Sequence, residues 1–135
     1  MTDKQLIEKA IKAMENSYSP YSGFRVGAAL LTTKGDVYTG CNIENATYSA
    51  TVCAERTAFF NAISNGEDEF TKIAVVGSLY SETTEYCYPC GVCRQVMSEF
   101  CGDGFKILLF NGKDIKECTL GELLPHSFGR DDLCE

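Results

Sequence analysis

Two short cysteine segments, far apart in the chain, constrain this fold more than any other feature of the sequence. The first is Cys53-Ala54-Glu55 and the second is Pro89-Cys90-Gly91-Val92-Cys93. Each one opens a stretch with helical patterning, and the free amides and positive dipole end of a helix stabilise thiolates. Two cysteines separated by two residues at a helix start also present both sulfurs to one point. A fold that brings these two helix starts together would therefore hold one metal ion.

Three thiolates, from Cys53, Cys90 and Cys93, are the ligand number of a catalytic zinc site. Zinc binds thiolates at about 2.3 Å in a tetrahedral array, and three protein ligands leave one position for water, whereas four close the site. Glu55 follows Cys53 in the first helical turn, where it can reach that water without being a ligand. Zinc lowers the pKa of a bound water to around 7. We therefore predict one Zn²⁺ per chain and a proton-transferring role for Glu55.

Cys87 leaves an alternative open, because Cys87-Tyr88-Pro89-Cys90 has the same cysteine spacing. Together with Cys53 and Cys93 this pair would make a closed structural site of four thiolates. Pro89 pushes Tyr88 towards an extended conformation, so we expect Cys87 to point away from the helix start. Glu55 has a plainer explanation too, as a favourable acid in a first helical turn. The other cysteines are expected to be ordinary buried or surface thiols, and the lone His126 a surface residue.

Hydrophobic spacing predicts a helix over 3–16 with Thr2 as its N-cap, and strands over 25–32 and 37–43 around a turn at 34–36. Further helices are predicted over 53–63, 90–100 and 119–124, and further strands over 72–78, 105–110 and 115–118. This order predicts a three-layer α/β/α domain with a mixed sheet of about five strands, spanning residues 1–135 as one domain. Ligands of such sheets bind beyond the strand ends, beside helix N-termini.

The charge of the chain bears on its partners. The 135 residues carry a formal net charge of -7, and Lys and Arg are scattered singly. Phosphate binding needs clustered cations, so we expect a small substrate that is neutral or weakly charged, and no nucleic acid. No apolar run approaches the ~20 residues that cross a bilayer, and the charged N-terminal segment differs from a signal peptide. The eight cysteines therefore suit reduced thiols and metal ligands in the cytoplasm.

The whole chain resembles the small cytidine deaminases, whose zinc-binding segments have this Cys-x-Glu and Pro-Cys-x-x-Cys pattern. Five stretches carry the resemblance in family order, and they lie at 21–29, 40–46, 53–58, 89–95 and 122–125. The resemblance implies hydrolytic deamination of cytidine and deoxycytidine to uridine and deoxyuridine by a zinc-activated water, a reaction of pyrimidine nucleoside salvage. The stretch from Glu82 to Tyr88 has no counterpart among these motifs.

The resemblance also implies roles for individual residues in the nucleoside pocket. Asn42 and Glu44 would bind the ribose hydroxyls, and Phe24 would pack against the nucleoside. The backbone at Ala54 and Cys90 would contact the base.

Further residues are implied at the edge of that pocket. Tyr48 and Phe128 would complete the pocket of a neighbouring subunit, so that a homotetramer shares its active sites. Arg56 has a role that follows from charge, because three thiolates and Zn²⁺ sum to -1. A guanidinium that donates to the sulfurs offsets that charge.

Three other functions remain open at this point. A deaminase of the same scaffold that acts on another aminopyrimidine nucleoside, such as blasticidin S, would share the zinc cluster and Glu55. A polynucleotide deaminase is disfavoured by the acidic composition. A binding module in which zinc only stabilises the fold would not need Glu55 at all.

Overall fold

The structure of the protein, a computed structural model, describes residues 1–80 and 82–134. The elements are, in chain order, α1 (Asp3–Met14), β1 (Arg25–Thr32), β2 (Val37–Cys41), α2 (Ala54–Ser64), β3 (Phe70–Ser78), α3 (Gly91–Phe100), β4 (Lys106–Phe110), β5 (Ile115–Thr119) and α4 (Leu120–Leu123). Every predicted helix and strand is present, with ends shifted by one or two residues. Two 3-10 turns, Tyr48–Ala50 and Arg130–Asp132, were not predicted.

The five strands form one mixed sheet in the order β2-β1-β3-β4-β5. β1 pairs antiparallel with both β2 and β3, and β5 pairs antiparallel with β4. β3 and β4 run parallel, because the connection between them is long enough to cross over and contains α3. The mixed sheet of five strands predicted from the sequence is therefore confirmed.

Helices cover both faces of the sheet. Alternation along β1 sends Ala28 and Leu30 to one face, against α2 and α3, and Ala29 and Leu31 to the other, against α1. α1 begins at a capping box in which Thr2 accepts from the amide of Gln5 and the Gln5 side chain accepts from the Thr2 amide. The two buried clusters are thus separated by the sheet, which confirms the three-layer α/β/α arrangement.

A glycine in β2 sets how closely α2 approaches the sheet. A Cβ at Gly40 would lie 2.4 Å from the backbone nitrogen of Ala58 and 2.6 Å from the carbonyl oxygen of Ala54. No side chain fits there, so α2 packs with its backbone almost against the strand. This contact places the N-terminus of α2, with Cys53 and Glu55, at a fixed height above the sheet.

Three further features concern the cysteines, the lone histidine and the helices. All eight cysteines are free thiols. His126 is exposed and adopts a positive φ of 52° in the C-terminal loop. Across residues 1–80 and 82–134, no helix combines the length and the apolar character that crossing a membrane requires.

Candidate metal centre and active site

Two helix N-termini bring the three predicted sulfurs together. Cys53 is the N-cap of α2, Cys90 is the N-cap of α3, and Cys93 lies one turn into α3. Cys53 Sγ lies 3.6 Å from Cys90 Sγ, and Cys90 Sγ lies 3.5 Å from Cys93 Sγ. All three ligand atoms lie within 4.8 Å of one another. Residues that are far apart in the chain thus form one cluster, as the cysteine segments predicted.

The geometry of the cluster fits zinc. Two thiolates at about 2.3 Å from one ion in a tetrahedral array lie roughly 3.8 Å apart, close to both measured separations. Cys93 is buried, Cys53 is half-buried and Cys90 is exposed, so the cluster is closed on one side and open on the other. Three soft donors with one accessible side are the arrangement in which zinc keeps a position for a small molecule.

Charge around Cys53 favours its thiolate form. Hydrogen bonding with Cys93, together with the Arg56 guanidinium, lowers the pKa of Cys53 although burial opposes the charge. Arg56 Nη2 donates to Cys53 Sγ at 3.5 Å. Its Nε is buried and finds no acceptor within the described residues. A cationic group whose donors are turned towards the sulfurs suits a cluster that carries net negative charge.

Glu55 lies in the first turn of α2 and is 4% exposed. Burial raises the pKa of its carboxyl to about 7, and the negative charge of Cys53 acts in the same direction. A buried carboxyl this close to the sulfurs is costly for stability, because desolvation penalises its charged form. Such a group is suited to accept and return a proton near neutral pH.

Cys87 lies near the metal cluster but is not part of it. Among the described residues, the candidate metal group contains Cys53, Cys90 and Cys93 alone. Burial and the nearby charges of Glu55, Cys53 and Cys90 raise the pKa of Cys87 to about 12, which keeps it a neutral thiol. The four-thiolate alternative therefore has no support from this arrangement.

Asn42 is buried, and most of its amide is occupied by the fold. Its Oδ1 accepts from the Val26 amide at 2.9 Å and from the Ser17 hydroxyl, and its Nδ2 donates to the Phe24 carbonyl at 2.8 Å. These bonds fix which way the amide points, and one Nδ2 hydrogen is left for another acceptor. The side chain thus also anchors the backbone on both sides of Arg25.

Glu44 faces a small cavity beside Tyr48. Its Oε1 accepts from the amides of Tyr21 and Ser22 at 2.9 and 3.1 Å, and its Oε2 accepts from the Ser22 hydroxyl. The Ser22 hydroxyl in particular lowers the pKa of Glu44, so the group is a carboxylate at neutral pH. The cavity has a volume of about 310 Å³ and is lined by Tyr21, Ser22, Glu44, Tyr48 and Thr51.

The remaining predicted residues are spread around this end of the sheet. Ala54 is buried at the start of α2, and Phe24 is 36% exposed just before β1. Tyr48 and Phe128 are the most exposed of the set, at 77% and 61%. The Tyr48 ring meets the Tyr21 ring edge to face, with centroids 6.3 Å apart. Phe128 is held through its carbonyl, which accepts from Gln95 Nε2 at 2.8 Å.

Sequence reasoning missed the residues that hold the predicted ones in place. Ser17 lies outside the recognised motifs, and its contact with Asn42 joins positions 25 residues apart. Ser22 lies inside a motif but carried no predicted role, although it is a principal partner of Glu44. Arg94 is a third case, since it donates to the carbonyls of Pro89 and Leu123 at 2.7 Å and ties α3 to the C-terminal segment. None of the three has a spacing signal that distinguishes it from an ordinary polar residue.

Comparisons with known proteins agree with this geometry. A family model described as the cytidine and deoxycytidylate deaminase zinc-binding region matches residues 1–108. A cytidine deaminase of Sporosarcina psychrophila is 50% identical over 134 residues, which cover 98% of this chain and 96% of that protein. A blasticidin-S deaminase of Bacillus cereus is 34% identical over 133 residues, covering 96% and 94%. The crystal structure of a cytidine deaminase from Burkholderia pseudomallei superposes with a TM-score of 0.87 at 48% identity, covering 95% of this chain and all of that one.

Proposed function

Because the chain belongs to the cytidine and deoxycytidylate deaminase family, we propose that it converts cytidine and deoxycytidine to uridine and deoxyuridine with release of ammonia. The observation that carries this proposal is the cluster of three sulfurs with the buried carboxyl of Glu55 beside it. This reaction would be a step of pyrimidine nucleoside salvage. We take residues 1–135 as one deaminase domain, and the eight free thiols suit the reducing environment of the cytoplasm.

Cys53, Cys90 and Cys93 would hold the zinc ion. When bound there, zinc supplies a Lewis acid that activates water for attack on the ring carbon bearing the amino group. The positive ends of α2 and α3 both face the sulfurs, and Arg56 adds a full positive charge beside Cys53. These groups reduce the excess negative charge of three thiolates.

Glu55 would move the protons that the reaction requires. Its carboxylate would accept a proton from the attacking water and deliver it to the neighbouring ring nitrogen. It would then take the proton of the newly added hydroxyl and deliver it to the amino group, so that the carbon–nitrogen bond breaks, ammonia leaves and a carbonyl forms. The buried position of Glu55 supports this role, because protein walls exclude bulk water that would compete for the proton. Water adds and ammonia leaves, so the atoms balance.

The nucleoside would lie between the metal cluster and the cavity beside Glu44. The backbone at Ala54 and Cys90 is placed at the helix starts, where free amides and carbonyls can pair with the base. The free hydrogen of Asn42 and the carboxylate of Glu44 suit ribose hydroxyls, since one donates and the other accepts. Phe24 would pack against the nucleoside from the side of β1.

A homotetramer with shared active sites is part of the proposal. It is supported by two aromatic side chains, Tyr48 and Phe128, which are largely exposed in a single chain, and Tyr48 also lines the cavity beside Glu44. Large aromatic side chains gain stability when a second surface covers them. The molar mass in solution, measured by light scattering, should correspond to four chains; a monomer that turns over cytidine would exclude the shared site.

Replacing Arg56 with Gln is expected to slow cytidine turnover about 10- to 100-fold, the usual effect of removing a partner of a metal ligand. The pH profile should move upward, because the uncompensated charge of three thiolates makes the metal a weaker Lewis acid. Zinc affinity, measured by competition with a chelator, should fall because the Cys53 thiolate loses its donor. Arg130→Gln, an exposed arginine far along the chain, is the control. An unchanged pH profile and zinc affinity would argue against this role.

Ammonia release from cytidine, deoxycytidine and blasticidin S tests the substrate. We expect turnover on the two plain nucleosides and little on blasticidin S, because the proposed roles of Asn42 and Glu44 are to bind ribose hydroxyls. The similarity to a blasticidin-S deaminase makes that antibiotic the relevant competitor. An oligonucleotide should compete poorly at physiological salt because the chain carries a net charge of -7. If the enzyme preferred blasticidin S or the oligonucleotide to cytidine, the proposed substrate would be wrong.

A further inference from the structure

We propose that Gly77 and Cys87 are positioning residues for Phe24 and thereby determine how well the pocket holds the nucleoside. This inference rests on the proposed function, in which the nucleoside packs against Phe24. Neither residue was singled out by the sequence as part of the pocket. Cys87 belongs to the Glu82–Tyr88 stretch that matches none of the recognised motifs.

The geometry around Gly77 carries the proposal. Gly77 lies in β3, opposite Val26 of β1, and is buried. A Cβ at this position would lie 2.9 Å from Phe24 Cζ and 3.0 Å from both Cβ and Sγ of Cys87. Carbon atoms prefer separations of about 3.5–4.0 Å, so no side chain fits beside these two. Because Gly77 has no side chain, the tip of the Phe24 ring and the side chain of Cys87 can both lie close to the backbone of β3 at this position.

The location of Cys87 connects this contact to the reacting groups. Phe24, Gly77 and Cys87 line a cavity of about 510 Å³ at the end of β3. Cys87 is three residues before the candidate ligand Cys90 in the chain, and its half-buried side chain packs against the core cluster that contains Ala54 and Cys93. A small, neutral thiol at this point can pack against an aromatic ring without bringing a charge to the base.

Gly77→Ala is the test, with cytidine as the substrate. We expect KM to rise about tenfold, because the added methyl group displaces the Phe24 ring by overpacking. The kcat should change less than about threefold, since Glu55 and the three cysteines are untouched. Zinc content should stay at one per chain. Gly102→Ala is the matched control, because a Cβ at Gly102 meets no atom within 4 Å.

A second substitution separates positioning from simple damage. Cys87→Ala alone should raise KM modestly, about threefold, because the ring loses a packing partner. In Gly77→Ala/Cys87→Ala the 3.0 Å contact with Cys87 Sγ is removed while the contact with its Cβ remains, so the methyl group and the Phe24 ring can shift into the freed space and KM should return part of the way towards that of the parent chain. Cys101→Ala controls for the loss of a partly buried thiol away from Phe24. If Gly77→Ala acted only by destabilising the fold, adding Cys87→Ala would not bring KM back towards that of the parent chain.

The outcomes distinguish this proposal from the function on which it rests. If the parent chain releases no ammonia from cytidine, the proposed function fails. If the parent is active and folded Gly77→Ala keeps its KM, or the double variant is as impaired as Gly77→Ala, the positioning role is wrong. If Gly77→Ala does not fold, Cys87→Ala alone decides: a raised KM with normal zinc supports the role, and an unchanged KM overturns it.

Discussion

Glu55→Gln is expected to lower cytidine turnover by about 100- to 10,000-fold while the chain stays folded and keeps one zinc ion. Gln has nearly the same shape but cannot accept a proton from water and pass it on, and acid-base assistance is worth this range of rate. Because Glu55 is 4% exposed, replacing its ionisable carboxyl with a neutral amide should not lower the thermal midpoint. Steady-state turnover, zinc content and thermal unfolding are measured on the same preparation.

The same variant separates the enzyme from a module in which zinc only stabilises the fold. A purely structural site predicts that Glu55→Gln leaves every measured property unchanged. Glu99→Gln is a suitable control, because Glu99 is exposed on α3 and should tolerate the same change. Turnover within a factor of ten of the parent would remove Glu55 from the mechanism.

Cys90→Ala is expected to abolish turnover and to reduce zinc to well below one ion per chain. This change removes the sulfur that lies 3.6 Å from Cys53 and 3.5 Å from Cys93, and two thiolates alone cannot hold zinc in a catalytic array. The thermal midpoint should fall as well, because a metal that binds the folded state stabilises it. Treating the parent chain with a chelator should have the same effects, and added zinc should reverse them.

A comparison of two neighbouring cysteines decides between the open and the closed metal site. Cys87→Ala should keep one zinc ion per chain, since Cys87 lies outside the cluster formed by the other three sulfurs. Zinc loss from Cys87→Ala comparable to that from Cys90→Ala would instead establish a four-thiolate site. In that case no position remains for water, and the proposed reaction would have to be abandoned.

Much of the fold and the metal cluster could be predicted because the signals are local. The helical spacing of Leu6, Ile7 and Ala10 behind Thr2 predicted α1, and all three side chains are buried in it. The spacing of Cys90 and Cys93 places two sulfurs on one helical turn whatever surrounds them. The role assigned to Arg56 followed from a charge count, and its guanidinium does contact Cys53.

Contacts between distant segments were harder to predict. The family resemblance implied a ribose-binding role for Asn42, whereas the structure shows that its amide ties Ser17, Phe24 and Val26 together. Ser17 and Asn42 are 25 residues apart, and no periodicity links them. The packing of Cys87 against Gly77 was likewise invisible, because a glycine in a strand and a cysteine in a loop have many ordinary explanations.

The amino-acid sequence by itself determined the helices and strands, the three candidate thiolates and the carboxyl that accompanies them. These depend on residue type and on short spacing, which the chain carries within each segment. The tertiary structure alone decided that the two helix starts meet with sulfurs at zinc-binding separation, that Cys87 stays out of that cluster, and which polar groups hold Asn42 and Glu44. These features depend on how separate segments of the chain pack together. A difference of a few ångströms decides whether a cysteine can bind the metal or only lies near it.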